Sequence, residues 1–148
     1  MNNTVMFSST SDEWATPQDL FDRLNAIFHY NLDAAALPHN AKCARYFTPE
    51  QNGLAQRWSG NVWLNPPYGR KIGEWVRKAY EEVAGGEASS VTLLLPARTD
   101  TAWYHDYCKK GFVTFLRGRL KFGNAKNSAP FPSMIVIFMR FDEVKGDA

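Results

Sequence analysis

Helix and strand signals alternate along most of the 148 residues, and this alternation predicts an α/β fold with helices on both faces of a sheet. Two further observations narrow that class. Residues 91–95, Val-Thr-Leu-Leu-Leu, form a near-continuous apolar run that ends at Pro96, the pattern of a strand covered on both faces, as in a parallel sheet. The last two strand candidates have no helix between them, so they are expected to pair antiparallel at or near the sheet edge.

Thr16-Pro17-Gln18-Asp19 reads as a helix start. Thr16 suits the N-cap, Pro17 the first helical position, and Asp19 the positive end of the helix dipole. Leu20, Phe21, Leu24, Ile27 and Phe28 follow at helical spacing as one apolar stripe. Residues 30–34 read as a short strand ending in small residues. From 37 to 60, Pro38, Pro49, Gly53 and Gly60 break the pattern, with a short strand expected over 44–47 and a turn at Thr48-Pro49. Residues 61–64 read as a buried strand that runs straight into Asn65-Pro66-Pro67-Tyr68-Gly69. Ile72, Trp75, Val76, Ala79, Tyr80 and Val83 then mark an amphipathic helix stopped by Gly85-Gly86. Beyond the 91–95 strand, a helix is expected over 101–110, closed by Gly111. Strands over 112–116 and 134–141 follow, joined by a polar linker carrying Gly118, Gly123, Pro130 and Pro132.

The length fits one domain with a real core. The chain is read as a loose polar stretch over 1–11, a single domain over 12–142 and a polar tail over 143–148. No apolar run approaches the roughly 20 residues of a membrane helix, and the polar start is not a secretory signal. Cys43 and Cys108 are the only cysteines and lie far apart. They build neither a disulfide framework nor a zinc-ligand spacing, so a cytoplasmic setting is expected, with no metal. The formal charge of +2 conceals an asymmetry. From 107 to 141 there is no Asp or Glu, whereas Lys109, Lys110, Arg117, Arg119, Lys121, Lys126 and Arg140 supply seven positive charges. The remainder holds ten basic and fifteen acidic residues, a balance of −5. Such a basic tract suits a polyanion, and it equally suits a solvated face with scattered lysines.

In open α/β sheets ligands bind beyond the carboxyl ends of the strands. Two clusters fall at such ends here, Asp33-Ala34-Ala35-Ala36 and Asn65-Pro66-Pro67-Tyr68. In the second, two successive prolines stiffen the backbone before any ligand arrives. Pro66 and Pro67 offer carbonyls without N–H donors, the Asn65 side chain adds another acceptor, and Tyr68 offers a ring face. The set suits an aromatic ring bearing an exocyclic amino group. That amine is a poor nucleophile because its lone pair is delocalised into the ring. Acceptors pulling on its hydrogens favour a more tetrahedral nitrogen, and they strengthen as charge develops in the transition state. The same tetrapeptide also fits a turn that merely ends a strand.

Asn65-Pro66-Pro67-Tyr68 resembles the catalytic motif of S-adenosylmethionine-dependent methyltransferases that modify adenine N6 or cytosine N4 in DNA. The wider set more specifically resembles the small phage and prophage Dam-like DNA N-6-adenine methyltransferases. The matching segments are Asp12-Glu13-Trp14-Ala15-Thr16-Pro17, Leu32-Asp33-Ala34-Ala35-Ala36, residues 60–69, Leu95-Pro96-Ala97-Arg98-Thr99-Asp100, Gly118-Arg119-Leu120-Lys121-Phe122 and Pro130-Phe131-Pro132-Ser133. The resemblance implies a minimal Rossmann-like class I methyltransferase sheet, mostly parallel with an antiparallel strand at or near the edge. It implies methyl transfer from S-adenosylmethionine to a flipped-out adenine in double-stranded DNA.

By the same resemblance, Asn65, Pro66, Pro67 and Tyr68 would be catalytic. Trp14, Thr16, Pro17, Asp33, Ala34, Ala35 and Glu50 would hold the cofactor, with the helix start at Thr16-Pro17 near its methionine end. Thr16 fits a plain N-cap as well, Asp33 an Asx turn, and Glu50 a solvated turn residue. The usual Gly-rich loop is absent after Asp33, where three alanines stand. Only 32 positions separate Asp33 from Asn65, so a crossover helix is expected to be trimmed. Arg70, Lys71, Arg98, Arg117, Arg119, Lys121 and Lys126 are the expected DNA contacts, Arg98 and Arg119 foremost. Phe122 and Phe131 suit either core packing or base wedging. Cytosine N4, RNA adenine or a protein glutamine would present a similar planar group to the motif, and a non-catalytic nucleic-acid-binding module would share the fold.

Overall fold

In the computed structural model, residues 14–123 and 127–140 are described. Five strands form one sheet in the order β1-β2-β3-β5-β4: β1 Leu32–Asp33, β2 Gly60–Leu64, β3 Ala88–Pro96, β4 Phe112–Phe115 and β5 Ser133–Met139. β1, β2 and β3 pair in parallel. β5 runs antiparallel to both β3 and β4, so β1 to β4 all point one way and β5 alone is reversed. The carboxyl ends of four strands and the amino end of β5 therefore share one edge of the sheet. Asp33, Asn65 and the residues just after Pro96 all lie along it.

Among the described residues the helices are α1 Gln18–Phe28, α2 Ile72–Ala84 and α3 Ala102–Asp106. Ring contacts assign the two long ones to faces. Phe21 of α1 meets Trp63 edge-on at 5.3 Å, whereas Tyr80 of α2 meets Phe138 at 5.5 Å. Phe138 is registered with Val91, and Val91 with Val62, the neighbour of Trp63 on β2. Alternation along a strand then sets α1 and α2 on opposite faces. Leu93, Leu94 and Leu95 are fully buried, as expected of a strand covered on both sides.

The expected elements recur with informative differences. α1 begins at Gln18, Pro17 occupies the cap, and no side chain caps the helix, so Thr16 is not its N-cap. Ile27 is 70% exposed because it lies at the margin of the stripe, while Leu20 and Phe21 face the core. Residues 44–47 make a single parallel bridge, Asp33 to Tyr46, since β1 is too short to pair further. The expected helix over 101–110 is split. α3 stops at Asp106 and a 3₁₀ turn spans Cys108–Lys110, which buries Cys108 completely. Residues 1–13, 124–126 and 141–148 lie outside the described residues, and with them the expected polar ends, both bounds of the expected 12–142 domain, Asp12, Glu13 and Lys126.

Between β1 and β2 there is no α-helix, only the 3₁₀ turn Gly53–Ala55. That turn presses directly on β1. A Cβ on Gly53 would sit 2.3 Å from the Ala34 carbonyl oxygen, so only glycine allows this approach. The buried Trp58 indole N–H donates to the Gly53 carbonyl at 2.9 Å and ties the turn down.

Candidate active site

A cavity of about 720 Å³ opens at the sheet edge where the strands end. Its walls come from three places: the segment before α1 (Trp14, Ala15, Thr16), the long connection after β1 (including Asp33, Ala35, Ala36, Lys42, Phe47, Asn52 and Gly53), and the stretch after β2 (Asn65, Pro67, Gly69, Arg70, Lys71). Trp63 and Trp75 add aromatic surface.

The Asn65 side chain is held by residues about fifty positions earlier. Its Nδ2 donates to the Thr16 hydroxyl at 3.0 Å and to the Trp14 carbonyl oxygen. These partners determine which end of the amide is which, because a reversed amide would set Oδ1 against the Trp14 carbonyl, two acceptors face to face. Oδ1 is thus turned the other way. It is buried and has no hydrogen-bond partner among the described residues, and of the buried side-chain oxygens in that condition it alone belongs to a residue lining the cavity. A buried unpaired acceptor costs roughly 1–3 kcal/mol and is uncommon in folded proteins. Thr16, 5% exposed, is one of the few buried polar residues.

Asp33 is a buried carboxylate served by its own loop. Oδ2 accepts the Lys42 N–H at 3.0 Å and Oδ1 the Ala35 N–H at 3.4 Å. The second contact is an Asx-type turn, so the local and the cavity-lining readings of Asp33 hold together. Burial pushes its pKa up to about 6, and the two backbone N–H groups only partly offset that. The Lys42 ammonium, also on the wall, donates to Gln18 Oε1 at 2.6 Å.

Tyr68 sits differently from the sequence expectation of an open stacking face. It is 7% exposed, its hydroxyl donates to the Leu94 carbonyl at 3.0 Å, and burial pushes its pKa up. Its ring is enclosed by Trp14, Phe122 and Phe131, with centroids 6.4, 6.2 and 5.6 Å away. Trp14, stacked on Tyr68, is the member of this cluster that faces the cavity. Phe122 is a buried packing residue and Phe131 is partly buried against the core.

Of the expected cofactor residues, Trp14, Thr16, Asp33 and Ala35 line the cavity, whereas Pro17, Ala34 and Glu50 do not. Ala34 is spent on the sheet, its N–H donating to the Trp63 carbonyl at 3.0 Å. Glu50 is exposed on the turn after Pro49. Pro66 is buried outside the lining, and Pro67 lines it. Arg70 and Lys71 are exposed on the rim of the cavity. Arg98, Arg117, Arg119 and Lys121 are exposed and outside the lining. The linker between β4 and β5 folds back on the site, the Gly123 N–H donating to the Ala15 carbonyl at 2.8 Å. Around it Leu120 and Phe122 pack inward, which leaves Arg119 and Lys121 outward. The Ala97 N–H donates to the Pro132 carbonyl at 2.9 Å, so Arg98 emerges beside the same linker. Lys42, Phe47, Asn52 and Trp75 were not foreseen. They fall in a stretch without regular periodicity or on a helix face that reads as core, and no local signal marks them.

Among the described residues no helix is long and apolar enough to cross a membrane, and no group of three or more metal-ligating side chains gathers. Comparison with known proteins agrees with the resemblance carried by the motifs. The family model described as DNA N-6-adenine-methyltransferase (Dam) matches residues 3–146. The chain is 32% identical over 141 residues to the DNA N-6-adenine-methyltransferase of Haemophilus phage HP1, covering 88% of this chain and 80% of that protein. It is 38% identical over 96 residues to the DNA N-6-adenine-methyltransferase of Escherichia phage T1, covering 63% of this chain but 39% of that longer protein. The chain belongs to the Dam-like phage and prophage DNA N-6-adenine-methyltransferase family.

Proposed function

We propose that this protein is a DNA adenine-N6 methyltransferase, transferring a methyl group from S-adenosylmethionine to an adenine rotated out of double-stranded DNA. The observation that carries the reading is the Asn65 amide. Both its N–H groups face protein acceptors, and its buried oxygen has no partner. Such an oxygen is an acceptor ready for an amino hydrogen.

The strand order with a single reversed strand, β5, supports a Rossmann-like class I methyltransferase sheet, and one domain over 12–142 with polar ends is the corresponding organisation. The cavity fits the cofactor in size and chemistry. About 720 Å³ lies within the range of small-molecule sites. Asp33 offers a carboxylate for an ammonium or hydroxyl. Lys42 offers a cation for a carboxylate, Ala35 and Ala36 leave room, and the Trp75 ring suits a flat base. When bound, S-adenosylmethionine supplies an electrophilic methyl group.

The chain's own residues do the rest. Asn65 Oδ1 accepts a hydrogen of the adenine amino group and favours a more tetrahedral nitrogen. As that nitrogen gains positive charge, the bond strengthens, so it stabilises the transition state more than the ground state. Shielding of Oδ1 from water raises the effect. The Pro66-Pro67 backbone fixes where the acceptor stands, and in-line placement of donor and acceptor supplies much of the remaining acceleration. Trp14 offers its face to the base, with Tyr68 locked behind it by the hydroxyl bond to Leu94. No general base is required, because the cationic nitrogen loses its proton easily after transfer. Arg119, Lys121, Arg98, Arg70 and Lys71 hold phosphates around the opening.

Incubation with labelled S-adenosylmethionine and unmethylated duplex, followed by digestion to nucleosides, tests the reading. Label in N6-methyladenine is expected. Label in a cytosine nucleoside, or in RNA or protein alone, would replace the acceptor. Failure to bind the cofactor by calorimetry would replace the enzyme with a binding module.

A further inference from the structure

We infer that Thr16 is a positioning residue for transfer, acting on the amino-group acceptor through its hydrogen bond to Asn65 without itself meeting the base. This inference rests on the reading of the site proposed above.

The Thr16 hydroxyl is not committed to its own helix. α1 starts at Gln18 with Pro17 at the cap, and no side chain caps it. The one hydrogen bond the hydroxyl makes among the described residues is with Asn65, accepted from Nδ2 at 3.0 Å across a separation of 49 positions. Both residues line the cavity, and Thr16 itself is buried.

Two anchors do what one cannot. The Trp14 carbonyl determines which end of the amide faces it. A single hydrogen bond still leaves the amide plane free to turn about its last side-chain torsion, which is broad for asparagine. The second bond, to Thr16, fixes the plane and hence the direction in which Oδ1 points. With both N–H groups donating, amide polarisation also moves electron density onto Oδ1 and makes it a stronger acceptor. Neither effect requires Thr16 to touch a substrate atom. Both act on the rate of transfer more than on the binding of DNA or cofactor.

The test uses Thr16→Val, which removes the hydroxyl while nearly keeping the shape, and Thr16→Ser, which keeps the hydroxyl. Thr16→Ala provides a second deletion should the valine variant fold poorly. Single-turnover transfer is expected to fall about tenfold in T16V and T16A, the order expected for one lost hydrogen bond at the acting group. With transfer read at saturating cofactor, so that any contact of Thr16 with the cofactor drops out, DNA KM should stay within twofold, and T16S should recover to within threefold of the parent. In the cofactor-free protein labelled with ¹⁵N, the Asn65 NH₂ protons should exchange with solvent faster in T16V than in T16S. Parental transfer rates in T16V and T16A would overturn the inference, as would equal loss in T16S, or loss confined to cofactor affinity. Asn65→Ala run alongside separates the two claims. An inactive N65A with fully active T16V removes the role of Thr16 alone, whereas a fully active N65A removes the reading of the site.

Discussion

Two polar side chains, Asp33 buried and Asn65 partly buried, stand at neighbouring strand ends, and their surroundings are opposite in kind. Asp33, after β1, carries its own solution: its carboxylate is met by the N–H groups of Ala35 and Lys42 from the loop that it starts. Asn65, after β2, is served from elsewhere, by Trp14 and Thr16. Asp33 has its acceptors partly filled and strains against burial of charge. Asn65 has its donors filled and its acceptor left open. One corner is therefore suited to gain a hydrogen-bonded or cationic partner that stabilises a charge. The other is suited to gain a donor whose charge rises during reaction. On the proposed reading this divides binding from chemistry.

The largest expected effect would break that division if it failed. Asn65→Ala should lower single-turnover methyl transfer by at least about 10³-fold, while cofactor affinity measured by calorimetry stays within threefold. Asp33→Ala should do the reverse, weakening cofactor affinity by about 10- to 100-fold through loss of a charged partner. A common loss of both quantities in both variants would show that the two corners act as one.

The pH dependence sharpens the same contrast. With the Asp33 pKa raised to about 6 in the free protein, the folded state binds a proton there that the unfolded chain has already released. Stability in the absence of cofactor should fall as pH rises from about 4 to about 6 and then level off. A cofactor that needs the carboxylate binds fully above pH 6 and about tenfold more weakly for each unit below it. Titration calorimetry between pH 5 and 8 reads this directly. A flat profile in the parent, or the same slope in D33A, would remove Asp33 from the binding corner.

Two smaller effects lie outside both corners. Gly53→Ala forces a Cβ toward the Ala34 carbonyl and should destabilise the fold by about 1–3 kcal/mol, a Tm drop of several degrees. Arg119→Ala and Lys121→Ala should each lower DNA affinity about two- to fivefold and reduce the salt dependence of binding by about one counterion. They should leave cofactor affinity and the rate at saturating DNA unchanged, since both residues are exposed and lie outside the cavity lining.

Much of the fold was legible because its signals are local. The apolar run before Pro96, the stripe from Ile72 to Val83 and the helix-free passage between the last strands each specify one element or one pairing. The Asn-Pro-Pro-Tyr segment also announced itself, since two prolines fix backbone shape whatever surrounds them. The mid-chain stretch did not. Phe47, Asn52 and Lys42 reach the cavity through a connection with no period to follow, and the Gly53 turn finds its place only by pressing on Ala34. The ring of Tyr68 looked available in the sequence. Burial under Trp14, Phe122 and Phe131 is a consequence of the linker folding back, which no nearby residue dictates.

The sequence by itself determined the α/β class, the stiff acceptor motif at a strand end, the small residues after Asp33 and the basic, acid-free tract. Each depends on periodicity, backbone restriction or composition, which short stretches of chain contain. Only the tertiary structure decided which way the Asn65 amide points, that Thr16 serves it and not its own helix, and that Trp14 and not Tyr68 faces the cavity. Those outcomes depend on hydrogen bonds and ring contacts between segments some fifty residues apart, and they exist only once the sheet has brought those segments to one edge.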